Sequence, residues 1–171
     1  LTGLTIGKQT NTSTVTISSA QSIAGPISVY GGAIAVSANL TATGGNILLD
    51  ADLGGSGLPT GSYGINVGAV AIQTITSGDI TIIGRSGNGN VSNVMGYVAN
   101  AGAVINSAGA LSITGYSNST SNTGTRGFLL RGTYTAKDDI TLTGADDTGD
   151  DATFGGVSIT STNGAVNLNA E

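Results

Sequence analysis

The residues best suited to chemistry form one acidic cluster, Asp146-Asp147-Thr148-Gly149-Asp150-Asp151. Closely spaced carboxylates and carbonyls around a glycine turn are oxygen ligands of the kind that Ca²⁺ prefers. The spacing of the carboxylates differs from that of an EF-hand loop, and no Glu closes the cluster. A solvated acidic loop between two strands explains the same residues. The sequence therefore predicts either such a loop or a calcium site, with the candidate ligands Asp146, Asp147, Asp150 and Asp151.

Other kinds of chemistry have few residues to use. The chain contains no His and no Cys, which excludes a Ser-His-Asp triad, a thiol nucleophile, a disulfide and a zinc site with the usual ligands. Paired carboxylates can cleave glycosidic bonds, but sugar-cleaving sites usually add aromatic platforms, and the chain has no Trp and only two Phe. We therefore expect no catalytic residue, no cofactor other than calcium and no enzymatic activity.

The overall composition indicates an all-β protein with a neutral, polar surface. Gly, Thr, Ser and Asn make up about half of the chain, and residues that favour helices are scarce. The formal net charge is −5, and the five basic residues form no stripe, so we expect no nucleic-acid partner. No apolar run approaches the ~20 residues that span a bilayer. No signal peptide is visible, and the start at Leu1 indicates processing or excision.

Two repeated units with a period of about 30 residues must position any functional side chain. The first unit is a Gly followed by alternating apolar residues, and the second is an apolar-x-apolar triplet. A third, weaker apolar burst lies between them in some copies. The first unit begins at Gly3, Gly32, Gly64, Gly96, Gly127 and Gly156, the second at Val15, Ile47, Ile80, Leu111, Ile140 and Val166, and the third at Val70, Ala103 and Thr133.

Short alternating units that recur at a fixed spacing are typical of a β-solenoid. Each unit can form a strand with one buried face, but a single copy cannot bury that face alone, whereas stacked copies bury it continuously. The sequence therefore predicts a parallel β-helix of five to six coils of about 30 residues. It forms one domain over residues 1–171, as a segment of a longer solenoid. An antiparallel sandwich would give no reason for the period.

The repeats also predict which side chains point inward. One stacked column should contain Ile47, Leu49, Ile80, Ile82, Leu111, Ile113, Ile140, Leu142, Val166 and Leu168. A second should contain Leu4, Ile34, Ile65, Phe128 and Val157. Frequent Thr-x-Thr pairs are interpreted as outward strand residues rather than as rows that order ice, because they fall at different phases of the period.

Strings such as Gly78-Asp79-Ile80-Thr81-Ile82 and Gly109-Ala110-Leu111-Ser112-Ile113 resemble filamentous-haemagglutinin-type repeats. Such repeats occur in large bacterial exoproteins exported by two-partner secretion and in autotransporter passengers. The resemblance covers essentially the whole chain. It implies a right-handed β-helix, export without disulfides, an adhesive role at the cell surface and no catalytic residues.

We therefore expect a structural or adhesive segment of a secreted or surface-exposed bacterial β-helical protein. Its partner would be a receptor or glycan on a host or neighbouring cell. A self-stacking extracellular filament or surface-layer subunit, binding its own copies end to end, is the first alternative, and a β-helical polysaccharide-active enzyme is the second. Contacts should lie on the loops Asp52–Gly61, Ser86–Asn93, Ser117–Thr125 and Ala145–Thr153, with exposed aromatic candidates Tyr30, Tyr63, Tyr116 and Tyr134.

Overall fold

The chain folds as an all-β solenoid with three faces. The computed structural model describes residues 1–51, 62–120, 123–146 and 150–170. All regular elements within these ranges are β-strands, and all their pairings are parallel. Face one contains β1 (Leu4–Ile6), β4 (Ile27–Tyr30), β7 (Ile47–Ala51), β10 (Ile80–Arg85), β13 (Leu111–Ser117), β15 (Ile140–Asp146) and β17 (Val166–Ala170).

The other two faces share their last two strands. Face two contains β2 (Thr14–Ile17), β5 (Ala33–Val36), β8 (Ile65–Val67), β11 (Met95–Ala99) and the first halves of β14 (Arg126–Ala136) and β16 (Asp150–Ser161). Face three contains β3 (Gln21–Ile23), β6 (Leu40–Ala42), β9 (Ala71–Thr74), β12 (Val104–Ser107) and the second halves of β14 and β16. A register shift between Leu130 and Gly132 marks the corner inside β14.

The parallel β-helical fold is confirmed, but the coil count is lower than predicted. Ile47 pairs with Ile80, Ile80 with Leu111, Leu111 with Ile140 and Ile140 with Val166, so these four turns hold 33, 31, 29 and 26 residues. The solenoid thus has about four turns of the predicted length, rather than five to six.

The first two coils are shorter, at 23 and 20 residues, because Leu4 pairs with Ile27 and Ile27 with Ile47. The prediction that Leu4 stacks with Ile34 is therefore wrong, since Leu4 lies on face one. Val15 lies on face two beside Ile34 rather than below Ile47. The sequence analysis missed the unit Ile27-Ser28-Val29, which follows Pro26 without a regular glycine signal.

The inward columns agree with the predictions beyond these first coils. Ile80, Ile82, Leu111 and Ile113 are fully buried or nearly so, and they stack in register on face one. The members of the same column on β17 are in register but exposed, Val166 to 43% and Leu168 to 58%, because no described strand packs above them. The predicted third burst forms face three, where Ile72, Ile105 and Tyr134 stack.

Two predicted inward or outward positions are wrong in the later coils. Val157 pairs with Gly132 on face three, and Ala152 is the residue that pairs with Phe128, because the corner of β16 comes before Val157. Tyr134 was expected to be exposed but is fully buried, since it continues the inward column of Ile72 and Ile105.

The core contains one buried polar pair, Tyr97 and Tyr134. Their hydroxyl oxygens lie 3.3 Å apart, and both side chains are completely inaccessible to solvent. Burial, followed by the charge and hydrogen bond of Tyr134, raises the pKa of Tyr97 well above its usual value. Burial also raises the pKa of Tyr134 to about 12, against the lowering effect of hydrogen bonds from Tyr97 and from the backbone of Arg131.

Glycines bring faces one and two into direct backbone contact near the corner where the long loops leave. A Cβ atom on Gly115 would overlap the carbonyl oxygen of Gly127 and lie 3.2 Å from Cβ of Phe128. A Cβ on Gly96 would overlap the backbone nitrogen of Tyr116. We call this contact the glycine seam. It separates the aliphatic core from the loops beyond the seam.

Asx side chains link successive coils at the corner before face one. Asn46 Oδ1 accepts a hydrogen bond from Asp79 N (3.0 Å), Asp79 Oδ1 accepts one from Ala110 N (2.8 Å), and Asp139 Oδ1 accepts one from Ala165 N (2.8 Å). A Cβ on Gly109 would overlap Asp79 Oδ1. These carboxylates therefore have a structural role in holding one coil to the next.

Candidate binding surface

The long loops all leave the solenoid at the corner between faces one and two. Of the four predicted contact loops, 52–61 lies outside the described residues, as do residues 121–122 and 147–149 within the third and fourth. The described parts of 86–93 and 117–125 stack on each other: Ser86, Ser117, Ser119 and Thr125 are buried. These loops are therefore more than exposed connections, since part of each forms an ordered polar layer.

Serine side chains hold this loop layer together. Asn118 N donates a hydrogen bond to Ser86 Oγ (2.9 Å). Ser119 Oγ lies 2.9 Å from the carbonyl oxygen of Gly89 and 2.8 Å from that of Val91. Because a buried hydroxyl needs such partners, the serines fix the path of the lower loop against the upper one.

The calcium candidate is only partly described. Asp146 ends β15 and is half-buried. Asp147 lies outside the described residues, and only the backbone of Asp150 and Asp151 is described, at the start of β16. Within the described ranges, no three His, Cys, Asp or Glu side chains come close enough to hold a metal ion. Calcium binding at Asp146, Asp147, Asp150 and Asp151 stays a prediction.

Three neighbouring strands of face one carry a flat outward surface that the sequence did not reveal. The outward side chains of β10, β13 and β15 are in register, so that Thr81 lies beside Ser112 and Ser112 beside Thr141. All nine are half-buried. We call this surface the face-one patch; it contains Thr81, Ile83, Arg85, Ser112, Thr114, Tyr116, Thr141, Thr143 and Ala145.

The patch also corrects the interpretation of the Thr-x-Thr pairs. Thr114 pairs with Thr143, and Ser112 pairs with Thr141, so hydroxyl pairs on neighbouring strands do share one phase. Adjacent strands lie about 4.8 Å apart, and alternate residues along a strand about 6.7 Å apart. The hydroxyls therefore form a regular two-dimensional array.

One end of the patch is fixed by an arginine and a tyrosine. The guanidinium carbon of Arg85 lies 4.4 Å from the centroid of the Tyr116 ring, within the range of a cation–π contact. Arg85 Nη1 donates a hydrogen bond to Asn118 Oδ1 (3.2 Å). Asn118 is itself held by Ser86. The loop layer therefore positions Arg85, and Arg85 positions the aromatic ring at the edge of the hydroxyl array.

Face three carries a comparable outward row without an aromatic ring. The row contains Gln73, Asn106 and Thr135, and Gln73 Nε2 donates a hydrogen bond to Thr41 Oγ1 (3.3 Å), while Thr135 Oγ1 donates one to Asn106 Oδ1 (2.8 Å). These side chains bond mainly to one another along the solenoid. Face three is thus a natural reference for the face-one patch.

The depressions on the described surface are small. One of about 220 Å³ lies between Ala35, Tyr63 and Asn66, and one of about 210 Å³ is lined by Ile6, Ile17 and Gln21. Asn66 Oδ1 is buried and has no hydrogen-bond partner among the described residues. Tyr63 is 39% exposed, in agreement with the prediction, whereas Tyr30 and Tyr116 are half-buried.

Comparison with known proteins gives no match to a family model, a curated protein or a solved structure. The structure shows the parallel β-solenoid of a β-helical repeat protein. The resemblance to filamentous-haemagglutinin-type repeats rests on the sequence strings alone. Within the described ranges, the chain has no helix that is both long and apolar enough to span a membrane.

Proposed function

We propose that the chain is a structural and adhesive segment of a secreted or surface-exposed bacterial β-helical protein. The observation that carries this proposal is the outward array of face one, where neighbouring strands repeat hydroxyl side chains in register. A solenoid lengthens by adding strands, so it can present the same polar surface over a long distance. The repeats that resemble exported exoproteins support the location at the bacterial cell surface.

The chemistry of this surface suits many weak contacts. Outward hydroxyl and amide groups form hydrogen bonds, but each bond adds little net affinity because water offers the same partners. Linked weak contacts can still bind strongly, because each later contact becomes intramolecular. A receptor or glycan on another cell, present in many copies, is the partner that such a surface fits.

A filament of copies stacked end to end is the second candidate function. The exposed Val166 and Leu168 on β17 favour it, because a further strand could cover them. The strand count opposes it: face one has seven described strands and the other faces six each. If β1 of a second copy paired with β17, one strand position between its β2 and β16 would stay empty.

Bead adhesion tests the proposed function. The chain is biotinylated and attached to streptavidin-coated fluorescent beads at low and high density, and the beads are mixed with bacterial and animal cells. Beads coated with an unrelated folded protein of similar net charge are the control. We expect attachment that rises steeply with coating density. Attachment equal to the control at every density and on every cell would contradict the proposal.

A further inference from the structure

We propose that the face-one patch is a binding site for neutral glycans. This inference deepens the proposed adhesive function, since it names the ligand class and the residues that contact it. The patch belongs wholly to described strands, and each of its three strands is paired on both sides or along its full length within the sheet. Its outward side chains are therefore held on a rigid surface.

The patch combines the two kinds of contact that a sugar ring needs. A sugar has hydroxyls around its rim and an apolar C–H face. Ile83 lies beside Thr114 in register, with Tyr116 diagonal to it on the next strand, and diagonal neighbours are within reach of an aromatic side chain. Ile83 and Tyr116 can cover the C–H face, while the hydroxyls of Thr114 and Thr143 lie beside them to bond the rim.

The aromatic ring is fixed before a ligand arrives. Arg85 packs on Tyr116 and donates to Asn118, which receives support from Ser86 in the buried loop layer. A side chain that is already ordered loses less conformational entropy on binding. This arrangement distinguishes Tyr116 from Tyr63, for which no such contact is present among the described residues.

The charges near the patch favour a neutral ligand. Arg85 is the one charged residue among the nine, and it faces the ring and Asn118. Asp50 pairs with Ile83 on the neighbouring strand β7, so a carboxylate lies next to the patch. With a net charge of −5 for the whole chain, an anionic glycan would meet repulsion rather than attraction.

Two-dimensional NMR with the full chain tests the proposal. The probes are neutral tetrasaccharides of glucose, galactose, mannose and N-acetylglucosamine, with tetragalacturonate as the anionic comparison. We expect at least one neutral probe to shift the amide signals of β10, β13 and β15. Tyr116→Ala should weaken its binding about tenfold, and Thr114→Val, which keeps the shape of the side chain, about threefold. The matched control on face three, Thr135→Val, should bind as the unchanged chain does.

Three outcomes would overturn the inference: no shift with any neutral probe, stronger binding of tetragalacturonate, or equal loss with Thr135→Val. Its failure is distinguishable from failure of the proposed function. If beads attach to cells and Tyr116→Ala beads attach equally well, the adhesive function stands and the patch is wrong. If a neutral probe binds at the patch while beads attach to no cell, the glycan site stands and the adhesive function is wrong.

Discussion

A single methyl group at the glycine seam should destabilise the whole solenoid. In the variant Gly115→Ala, the new Cβ would overlap the carbonyl oxygen of Gly127, which belongs to the backbone of the facing strand. Backbone in a paired strand cannot move aside as the end of a side chain can. Gly115 does not have a positive φ angle, so the new residue suffers no strain in its own backbone, and the overlap is the sole source of the cost.

The magnitude follows from two opposing effects. Replacing Gly by Ala stiffens the unfolded chain, which stabilises the fold by about 0.4–1 kcal/mol. Overpacking a filled interior costs about 1–3 kcal/mol, and sometimes more. Because the clash here is with backbone, we expect a net loss of about 2 kcal/mol in the free energy of unfolding. For a chain of this size, that loss lowers Tm by roughly 4–8 °C.

The matched control for this measurement is Gly155→Ala. Its Cβ would lie 3.3 Å from Nε of Arg131, an atom on a side chain that can move. Thermal unfolding followed by circular dichroism, together with urea unfolding, should therefore show a Tm for the control within about 2 °C of the unchanged chain. If Gly115→Ala were as stable as Gly155→Ala, faces one and two would not touch as the structure has them, and the seam would be wrong.

Three further predictions concern the core. Ile113→Asp places a charge in a fully buried column and should cost more than about 4 kcal/mol in urea unfolding, whereas the outward Ser112→Asp should cost less than about 1 kcal/mol; equal costs would refute the inward column. Tyr134→Phe should destabilise by about 1–3 kcal/mol more than Tyr97→Phe, because it leaves the Tyr97 hydroxyl without its partner while Tyr134 keeps the backbone of Arg131. Since both tyrosines have raised pKa values in the fold, their contribution is full below about pH 10, the unfolded value, and is lost as the pH rises towards and beyond 12; the urea midpoint should fall between pH 9 and pH 11.5, and the variant with both tyrosines changed to Phe should lose part of that fall.

Regular repeats explain which parts of this fold the sequence could predict. The columns of Ile80, Leu111 and Ile140 follow from spacing alone, because each strand repeats the side-chain pattern of the strand below. The first coils could not be predicted by the same rule, since their length changes to 23 and 20 residues. Tyr134 could have been placed inward from the alternation Thr133-Tyr134-Thr135, but its polar hydroxyl suggested the surface.

The face-one patch depends on information that spacing does not contain. The contact of Arg85 with Tyr116 requires the exact register of β10 against β13 and the position of Asn118 in a loop. Two residues 31 positions apart become neighbours only once the coil length is known. The same limit applies to the acidic cluster, where the spacing of Asp146 to Asp151 suggests ligands but does not position their oxygens.

The direction of the hydrogen bonds between strands has a mechanical consequence. In every described pairing, the strands lie across the solenoid, so the bonds between coils point along its axis. A tension applied to the two ends would therefore load one coil boundary at a time, rather than shearing all of them together. The four longer turns hold 26–33 residues each, so each released turn would add roughly 90–110 Å of extended chain. Under load, the molecule would lengthen in steps and dissipate energy, as an anchor between two moving surfaces must.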